Sequence, residues 1–232
     1  MIDLAENYRK VNDRIRSAEV DAGREPGSVQ LIAVGKVHPA SSIRGLAACG
    51  QRAFAENFVQ EAIGKQQELE DLQIDWHFIG SIQSNKTRQI ASNFSWVHSV
   101  DRFKIAARFN EQRPANFPPL NVCLQLNLQE EETKSGLNAN SAIELLDQIH
   151  DFERIRVRGF MIVPKPVSDP SEQRVIFAEV KNLLEKANSL GHTLDTLSMG
   201  MTDDLEQAVA EGATHVRIGT ALFGPRPLKK PM

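Results

Sequence analysis

Two separated stretches of the sequence contain residues that, if they met in space, would bind an aldehyde that carries a phosphate. Lys36 ends the run LIAVGK, and a lysine amine at the end of a strand can bond covalently to an aldehyde. The later segments SMGMTDD and VRIGTALFGPR supply glycine turns, hydroxyl groups and an arginine. Glycine lets backbone N–H groups approach a phosphate closely, and a helix that follows adds a favourable dipole. Together these features point to pyridoxal 5′-phosphate (PLP).

Short β-rich runs alternate with helical stretches along the chain, and this order decides how those residues could meet. The eight candidate strands cover 31–35, 53–55, 76–79, 96–99, 122–128, 156–161, 196–199 and 215–218. The candidate helices cover 3–22, 41–49, 56–72, 86–91, 102–110, 139–151, 171–190 and 204–211. Because each helix returns the chain to start the next strand in the same direction, the strands should be parallel.

Eight such units predict closure into a single (β/α)8 TIM barrel, for which 232 residues is a suitable length. We expect one PLP-binding domain over 1–232, with an N-terminal helix in 1–27 and the barrel in 28–232. A doubly wound open sheet is the alternative architecture. In a barrel, reactive groups lie at the C-terminal ends of the strands, and phosphate commonly binds after strands seven and eight. Lys36 follows the first strand, while 198–202 and 219–220 follow the seventh and eighth, so all would share one rim.

Lys36 and Arg217 each have a plainer explanation than ligand binding. A lysine after an apolar strand can simply extend to solvent, but partial desolvation and a nearby Arg217 would lower the pKa of the Lys36 amine and favour bonding to an aldehyde. Arg217 and His215 share one face of the last strand, opposite Val216 and Ile218. Arg217 should therefore face the barrel mouth, where it either contacts a ligand or forms an internal salt bridge.

For other polar residues near the same rim, the sequence points less specifically to ligand binding. Asn57 follows the second strand and is a candidate ligand contact, although Glu56-Asn57 could equally be a helix start. His77 is expected to pack inside the barrel rather than to catalyse. Asp203 and Asp204 are expected at a helix N-terminus, where the dipole favours carboxylates, and we assign them no acid or base role.

The composition favours a globular protein with a small-molecule ligand. Hydrophobic residues make up 41% and charged residues 25%, and no apolar run approaches the roughly 18 residues of a membrane span. A net charge of −3 without a basic stripe argues against nucleic acid. The first residues lack the pattern of an export signal, so we expect a cytoplasmic location. Cys49 and Cys123 fit neither a disulfide framework nor a metal site, and we expect no metal and two small buried side chains.

The sequence resembles the pyridoxal phosphate homeostasis protein family, also described as the proline synthase co-transcribed family, over essentially its whole length. The matching stretches are LIAVGK, FAENFVQE, WHFIGSIQSNK, KSGL, RGFMIVP and LSMGMTDDLEQAVAEGATHVRIGTALFGPR. The resemblance implies a barrel like the N-terminal domain of alanine racemase, of PLP fold type III, with the cofactor on Lys36 as an internal aldimine. It implies that Asn57 lies beside the cofactor and that Arg217 meets the pyridine nitrogen. The residues that it assigns to the phosphate are Ser198, Met199, Gly219 and Thr220.

Four positions depart from the pattern that the resemblance leads us to expect. Gly35 stands where serine is common, Ala55 and Phe58 where glycine and tyrosine are usual, and Ser81 where proline is common. Hydroxyl contacts from positions 35 and 58 are therefore not expected. An arginine at the pyridine nitrogen would disfavour ring protonation, which makes the cofactor a poorer electron sink than one paired with aspartate.

The resemblance favours a non-catalytic role in intracellular PLP homeostasis, with PLP held as a Schiff base on Lys36 and passed to PLP-dependent apo-enzymes. The alternative is a PLP-dependent amino-acid racemase. Racemases of this barrel type take a second base, a tyrosine, from another domain, whereas the only tyrosine here is Tyr8 in the first helix. A third hypothesis is a Schiff-base aldolase that uses Lys36 or Lys165, but prolines flank Lys165 and predict a loop. We expect a monomer, and Lys134 and Lys165 receive no role.

Overall fold

The computed structural model describes residues 2–129, 135–167 and 169–225. Two residues of the matching motifs, Lys134 and Arg226, lie outside the described residues. The strands are β1 (Gln30–Val34), β2 (Ala53–Glu56), β3 (Asp75–Phe78), β4 (Trp96–Val100), β5 (Leu120–Leu126), β6 (Ile155–Ile162), β7 (Thr196–Ser198) and β8 (His215–Ile218). The helices are α1 (Leu4–Asp21), α2 (Ala40–Ala48), α3 (Val59–Glu68), α4 (Thr87–Asn93), α5 (Phe103–Gln112), α6 (Ala139–Gln148), α7 (Pro170–Ser189), α8 (Leu205–Ala210) and α9 (Thr220–Phe223). A 3₁₀ turn, Ser84–Lys86, precedes α4.

The eight strands form a closed parallel barrel in chain order, which confirms the predicted TIM barrel and excludes the doubly wound sheet. The closing pair is β1 with β8, where Ile32 lies beside Arg217 and Ala33 beside Ile218. On its other side, Ala33 lies beside Phe54 of β2. Closure therefore brings the end of the first strand next to the end of the last one, as the proposed pairing of Lys36 with the final motif requires.

Alternation along the strands divides the apolar residues between two layers. Ile32 and Val34 of β1 cluster with Ala53 and Ala55 of β2 inside the barrel. The intervening positions, such as Phe54, belong to the large cluster between the strands and the surrounding helices. Period-two alternation places successive side chains on opposite faces of a strand, so one face packs the barrel interior and the other packs the helices.

The structure differs from the predicted elements mainly at the second βα unit. The sequence pattern predicts a helix from position 56, but Glu56 is the last residue of β2 and lies in register with Phe78 of β3. Its carbonyl also accepts the Ile79 N–H at 3.0 Å. Glu56 favours helices locally, and pairing with the neighbouring strand overrides that preference. The short helix α9 after β8 was not delimited from the sequence.

The first helix supports the loops at the rim of the barrel. Arg14 of α1 donates to both carboxylate oxygens of Glu206 in α8, at 2.8 and 3.0 Å, and to the Thr202 carbonyl at 3.0 Å. Asn7 donates to the Leu222 carbonyl at the end of α9 at 2.9 Å. Helix α1 thus fixes the segments that follow β7 and β8. Within the described ranges, no helix has the length and hydropathy needed to cross a membrane.

Candidate functional site

A cavity of about 340 Å³ opens at the end of the barrel where the strands terminate. This volume lies at the lower end of the range typical of small-molecule sites, about 300–1,000 Å³. Residues from six βα segments line it: Val34, Lys36, His38, Asn57, Ile79, Met161, Val163, Met201, Thr202, Asp203, Arg217, Gly219, Thr220 and Gly224. The location matches the rim at which barrels place their reactive groups.

Five of the seven residues expected at the site line this cavity, namely Lys36, Asn57, Arg217, Gly219 and Thr220. Ser198 and Met199 do not line it, and both are fully buried. The Ser198 hydroxyl lies inside the barrel below Arg217, and the Met199 N–H donates to the His215 carbonyl at 3.1 Å. The assignment of a phosphate to these two residues stays a prediction.

Lys36 is half-buried at the centre of a tight turn that follows β1. The Gly35 carbonyl accepts the His38 N–H at 3.0 Å, which makes Lys36 and Val37 the two central residues of the turn. Val37 has a φ of 64°, a left-handed conformation that glycine or asparagine usually takes at the third position of a turn. A β-branched residue there is strained by about 1–3 kcal/mol, so the surrounding structure must hold the turn that carries Lys36.

Asn57 reaches the cavity because the backbone of its loop packs tightly against a glycine. A Cβ added to Gly80 would lie 2.0 Å from the Asn57 carbonyl oxygen, so only glycine allows this approach. The Gly80 carbonyl in turn accepts the Ser99 hydroxyl at 2.6 Å. Among the described residues, the buried Oδ1 of Asn57 has no hydrogen-bond partner. An unpaired buried amide oxygen on a cavity wall fits a hydrogen-bond donor on a ligand.

Arg217 lines the cavity with a guanidinium that two hydrogen bonds hold in place. One NH group donates to the Ser198 Oγ at 2.8 Å and the other donates to the Ile162 carbonyl at 2.8 Å. Burial lowers the pKa of Arg217 to about 10, so it stays protonated at neutral pH. Within the part of the chain that the structure describes, its partners are neutral oxygens, and the internal salt bridge left open by the sequence is absent there.

Below Arg217, a chain of hydrogen bonds continues from side chain to side chain through the barrel interior. Ser198 Oγ lies 2.8 Å from His98 Nδ1, and His98 Nε2 lies 2.9 Å from His77 Nδ1. His77 Nε2 lies 3.1 Å from the Asp75 carboxylate at the start of β3. We call Ser198, His98, His77 and Asp75 the barrel chain. It joins the cavity to the opposite end of the barrel.

The donors of the barrel chain run in one direction when both histidines are neutral. Arginine can only donate and an ionised carboxylate can only accept, so each of Ser198, His98 and His77 accepts from one side and donates to the other. Burial holds the pKa of His98 well below its usual value, and the nearby Arg217 cation adds to this effect, which supports the neutral form. Burial raises the pKa of Asp75, but hydrogen bonds from His77 and Ser95 outweigh it and leave that pKa lowered.

The histidines lie where the strand alternation predicts. His77 is fully buried and stacks on Trp96 with ring centroids 5.5 Å apart, as expected for packing rather than catalysis. His215 shares the barrel interior, and burial lowers its pKa to about 3. Sequence reasoning missed His98. The available signal was its position two residues after Trp96 in β4, which places both side chains on one face of the strand.

The loop after β7 contributes three lining residues, Met201, Thr202 and Asp203. Met201 and Thr202 belong to the segment 198–202 that was expected at this rim, whereas Asp203 was expected only at a helix N-terminus. All three lie inside the quoted SMGMTDD motif, so their position in a glycine turn was the signal. Asp204 occupies the N-cap position of α8, as expected, but its carboxylate accepts the Met201 N–H at 2.5 Å. Burial raises the pKa of Asp204. This carboxylate closes the loop rather than capping the helix.

The remaining candidates lie outside the cavity. Lys165 is exposed in the loop after β6, as its flanking prolines predict. Cys123 is buried, and burial raises its pKa to about 12, whereas Cys49 is half-buried. Among the described residues, no group of three or more His, Cys, Asp or Glu side chains could hold a metal ion.

A family model and several known proteins match this sequence along nearly its whole length. The family model described as alanine racemase, N-terminal domain, matches residues 3–227. A relative named pyridoxal phosphate homeostasis protein, from Pseudomonas aeruginosa, is 55% identical over 226 residues, or 97% of each chain. A relative of the same name from Escherichia coli K12 is 42% identical over 99% of this chain and 100% of its own. The structure of PipY from Synechococcus elongatus with PLP bound has a TM-score of 0.81 and 38% identity, and the match covers 90% of this chain and 100% of PipY.

Proposed function

The chain belongs to the pyridoxal phosphate homeostasis protein family, whose barrel is that of the alanine racemase N-terminal domain, and from this membership we propose that it binds PLP in the cavity at the barrel mouth and serves intracellular PLP homeostasis. The observation that supports this most directly is the convergence of Lys36, Asn57, Arg217, Gly219 and Thr220 on one cavity, although they come from distant parts of the sequence. In this proposal, the whole chain acts as one PLP-binding domain.

The lining residues fit the chemical groups of PLP. Lys36 supplies an amine for a covalent bond to the aldehyde, and Gly219 and Thr220 supply a glycine turn with a hydroxyl for the phosphate. The unpaired Oδ1 of Asn57 would accept a hydrogen bond from a ligand hydroxyl. Arg217 faces the same cavity with a buried cation, which suits an anionic ligand and would lie at the pyridine nitrogen.

When bound, PLP supplies a ring that withdraws electrons, and its strength depends on the group at the ring nitrogen. Arg217 stays protonated with a pKa of about 10, and its hydrogen bonds to Ser198 and Ile162 prevent it from turning away. A protonated guanidinium has no acceptor for a hydrogen bond from a protonated ring nitrogen, and it disfavours a second positive charge beside it. The residues therefore hold the cofactor in a form that is poorly suited to carbanion chemistry.

We propose that the protein stores PLP and passes it to PLP-dependent apo-enzymes without turning over a substrate. Racemization requires a proton donor on each face of the substrate. Tyr8 lies in α1 and does not line the cavity, and the titratable lining residues besides Lys36 and Arg217 are His38 and Asp203 among those described. The racemase alternative gains no support from the relatives' names. The cytoplasm and a monomeric state are part of this proposal.

The first test compares the wild-type protein with Lys36→Ala. After addition of PLP and removal of the excess, wild type should show the absorbance band of a protonated imine, and the variant should lack it. Circular dichroism of both proteins should be the same, since Lys36 is only half-buried. Wild type that retains no PLP at saturation would defeat the proposed function.

The second test addresses catalysis and transfer. The PLP-loaded protein is assayed for racemase, decarboxylase and transaminase turnover on a panel of amino acids, and we expect none. The same protein is then mixed with a PLP-dependent apo-enzyme, whose activity should rise as the absorbance band of the donor falls. Robust turnover on any amino acid would instead favour the racemase-type alternative.

A further inference from the structure

Three charged side chains lie together on the outer face of the barrel wall, directly behind the turn that carries Lys36. Lys65 of α3 donates to Glu56 at 2.7 Å and to Glu61 at 2.5 Å, and we call these three residues the charged cluster. Glu56 is fully buried, and the Lys65 side chain is 7% exposed. An ammonium and a carboxylate at such depth are costly, and among the described residues the second carboxylate oxygen of Glu56, Oε2, has no hydrogen-bond partner.

Two members of the charged cluster also bind the backbone on either side of Lys36. Lys65 Nζ donates to the Gly35 carbonyl at 2.8 Å, so it holds the peptide group that precedes Lys36. The carboxylate of Glu61 accepts the Val37 N–H at 2.8 Å, so it holds the peptide group that follows Lys36. Lys65 and Glu61 thus hold the two peptide groups that flank Lys36, the residue that carries the proposed covalent bond.

The geometry of the turn explains why such a grip is needed. Val37 adopts its strained positive φ immediately after Lys36, and a β-branched residue leaves that conformation unless other contacts oppose it. The bond from Val37 N–H to Glu61 opposes this change directly. Gly35 leaves room for the cluster, since a Cβ there would lie 2.8 Å from the Glu56 carboxylate. A serine at position 35 would bring its Cβ into this contact.

A purely structural role would require only the ion pairs within the cluster. All three N–H donors of Lys65 are used, and one goes to the Gly35 carbonyl rather than to a carboxylate. Likewise, Glu61 accepts from the Val37 backbone although Lys65 already pairs with it. The two bonds to the turn are the features that packing of α3 against β2 does not need.

We propose that Glu61 and Lys65 are positioning residues that hold the Lys36 turn in the conformation from which its amine captures PLP. This inference rests on the proposed function and adds to it two residues that do not touch the cofactor. The expected consequence is kinetic: without these two bonds, Lys36 samples other orientations, and its amine condenses with the PLP aldehyde, with release of the aldehyde oxygen as water, more slowly.

The test compares Glu61→Ala with Glu61→Gln and with a control on the same helix. Glu61→Ala removes the acceptor of the Val37 N–H, while the amide oxygen of Glu61→Gln can still accept from Val37 and Lys65. Glu68→Ala removes an exposed carboxylate at the end of α3, and so matches the change in charge. The cofactor-free forms of all four proteins, with wild type included, are mixed with PLP, and the absorbance band is followed over time.

We expect Glu61→Ala to capture PLP about tenfold more slowly, as befits the loss of one charge-assisted hydrogen bond. Glu61→Gln and Glu68→Ala should stay within about twofold of wild type. Urea unfolding of each variant shows whether slow capture merely reflects lost stability. Capture by Glu61→Ala at the wild-type rate, or equal slowing in the alanine and glutamine variants, would overturn the inference.

A second readout does not depend on the cofactor. Amide hydrogen exchange of the cofactor-free proteins should be faster at Val37 in Glu61→Ala than in wild type, and unchanged there in Glu68→Ala. Failure of wild type to capture PLP at all would contradict the proposed function. The grip on the turn would then be judged by exchange alone, and unchanged exchange at Val37 in Glu61→Ala would overturn it.

Discussion

The two cationic residues of the cavity rest on polar networks of opposite kinds. Behind Lys36, on the helix side of the barrel wall, the charged cluster holds Lys65 within direct hydrogen-bond distance of both Glu56 and Glu61. Beneath Arg217, inside the wall, the barrel chain passes through one hydroxyl and two imidazoles before it reaches a carboxylate. The charged cluster supports the Lys36 turn through ion pairs, whereas the barrel chain supports Arg217 through hydrogen bonds of a hydroxyl and two imidazoles.

This difference follows from the different backbone conformations at Lys36 and Arg217. Lys36 sits on a strained turn near the surface, and strong charge-assisted bonds to the backbone hold that turn. Arg217 lies on a regular strand, so its backbone needs no extra support. Its guanidinium needs only a hydrogen-bond acceptor that is correctly oriented. Additional charge inside the barrel would carry a large desolvation cost, and burial holds the pKa of His98 well below its usual value. Lys36 on its strained turn and Arg217 on its regular strand are therefore stabilised by different kinds of hydrogen-bond network.

The largest expected effect is on stability, from Lys65→Met. This variant leaves Glu56 and Glu61 without their cation, and removal of one partner of a buried ion pair typically costs about 3–5 kcal/mol. We expect a loss of that size in the free energy of unfolding at pH 8, where Glu56 is mostly ionised. Urea denaturation measures it.

Lys181→Met is the matched control for that prediction. Lys181 pairs with Glu185 at 4.0 Å on the surface of α7, where both side chains are about half exposed. Exposed pairs of this kind contribute about 0–1 kcal/mol, so the control should change stability little. Equal effects of the two substitutions would show that the charged cluster is no stronger than a surface pair.

The next effect is a pH dependence that arises at Glu56 of the charged cluster. Burial raises the pKa of Glu56 to about 7, against an ordinary value of 4.5, despite the opposing influence of Lys65. Between these two values the folded protein binds the extra proton, so this group lowers the stability as the pH rises from about 4.5 to 7. The change amounts to up to about 3 kcal/mol, since each pKa unit corresponds to about 1.36 kcal/mol.

Glu56→Gln tests this dependence because it cannot ionise and still offers an oxygen to Lys65. The difference in unfolding free energy between the variant and wild type should grow in favour of the variant as the pH rises through that range. Other titrating groups are common to both proteins and cancel in the difference. A difference that is independent of pH would show that Glu56 does not titrate as proposed.

The smaller effect concerns the barrel chain and Ser198→Ala. This variant removes both the acceptor for Arg217 and the donor to His98, and a buried group left unpaired costs about 1–3 kcal/mol. The loss should be nearly the same at pH 6 and pH 8, because His98, the histidine that loses its donor, has a pKa well below its usual value. Ser189→Ala, at an exposed hydroxyl of α7, should change stability by no more than about 0.5 kcal/mol.

Much of the fold could be predicted from the sequence, and the reason is the alternation of short apolar runs with amphipathic segments. All eight strands were predicted close to their observed positions, and parallel closure followed from the order of the elements. The error at Glu56 arose because local helix preference was visible and the register with Phe78 was not. Register depends on contacts between distant residues, which a single sequence does not display.

Site residues could be predicted where the residue type determines the chemistry. They were harder to predict where the direction of the side chain in the fold determines it. Lys36, Asn57 and Arg217 could be selected by type and by proximity to strand ends, and all three line the cavity. Ser198 has a suitable hydroxyl, but strand parity turns it toward His98 inside the barrel. The grip of Glu61 on Val37 was not visible, because α3 approaches the turn only after the barrel has closed.

The measurement that tests the central claim most directly is peptide mass spectrometry after reduction of the PLP-loaded protein with borohydride, which makes the covalent bond permanent. We predict a pyridoxyl-phosphate mass increment on the peptide that contains Lys36, in nearly one-to-one yield, and none on peptides that contain Lys65 or Lys165. An increment spread over several lysines, or its absence from the Lys36 peptide at saturating PLP, would contradict the account.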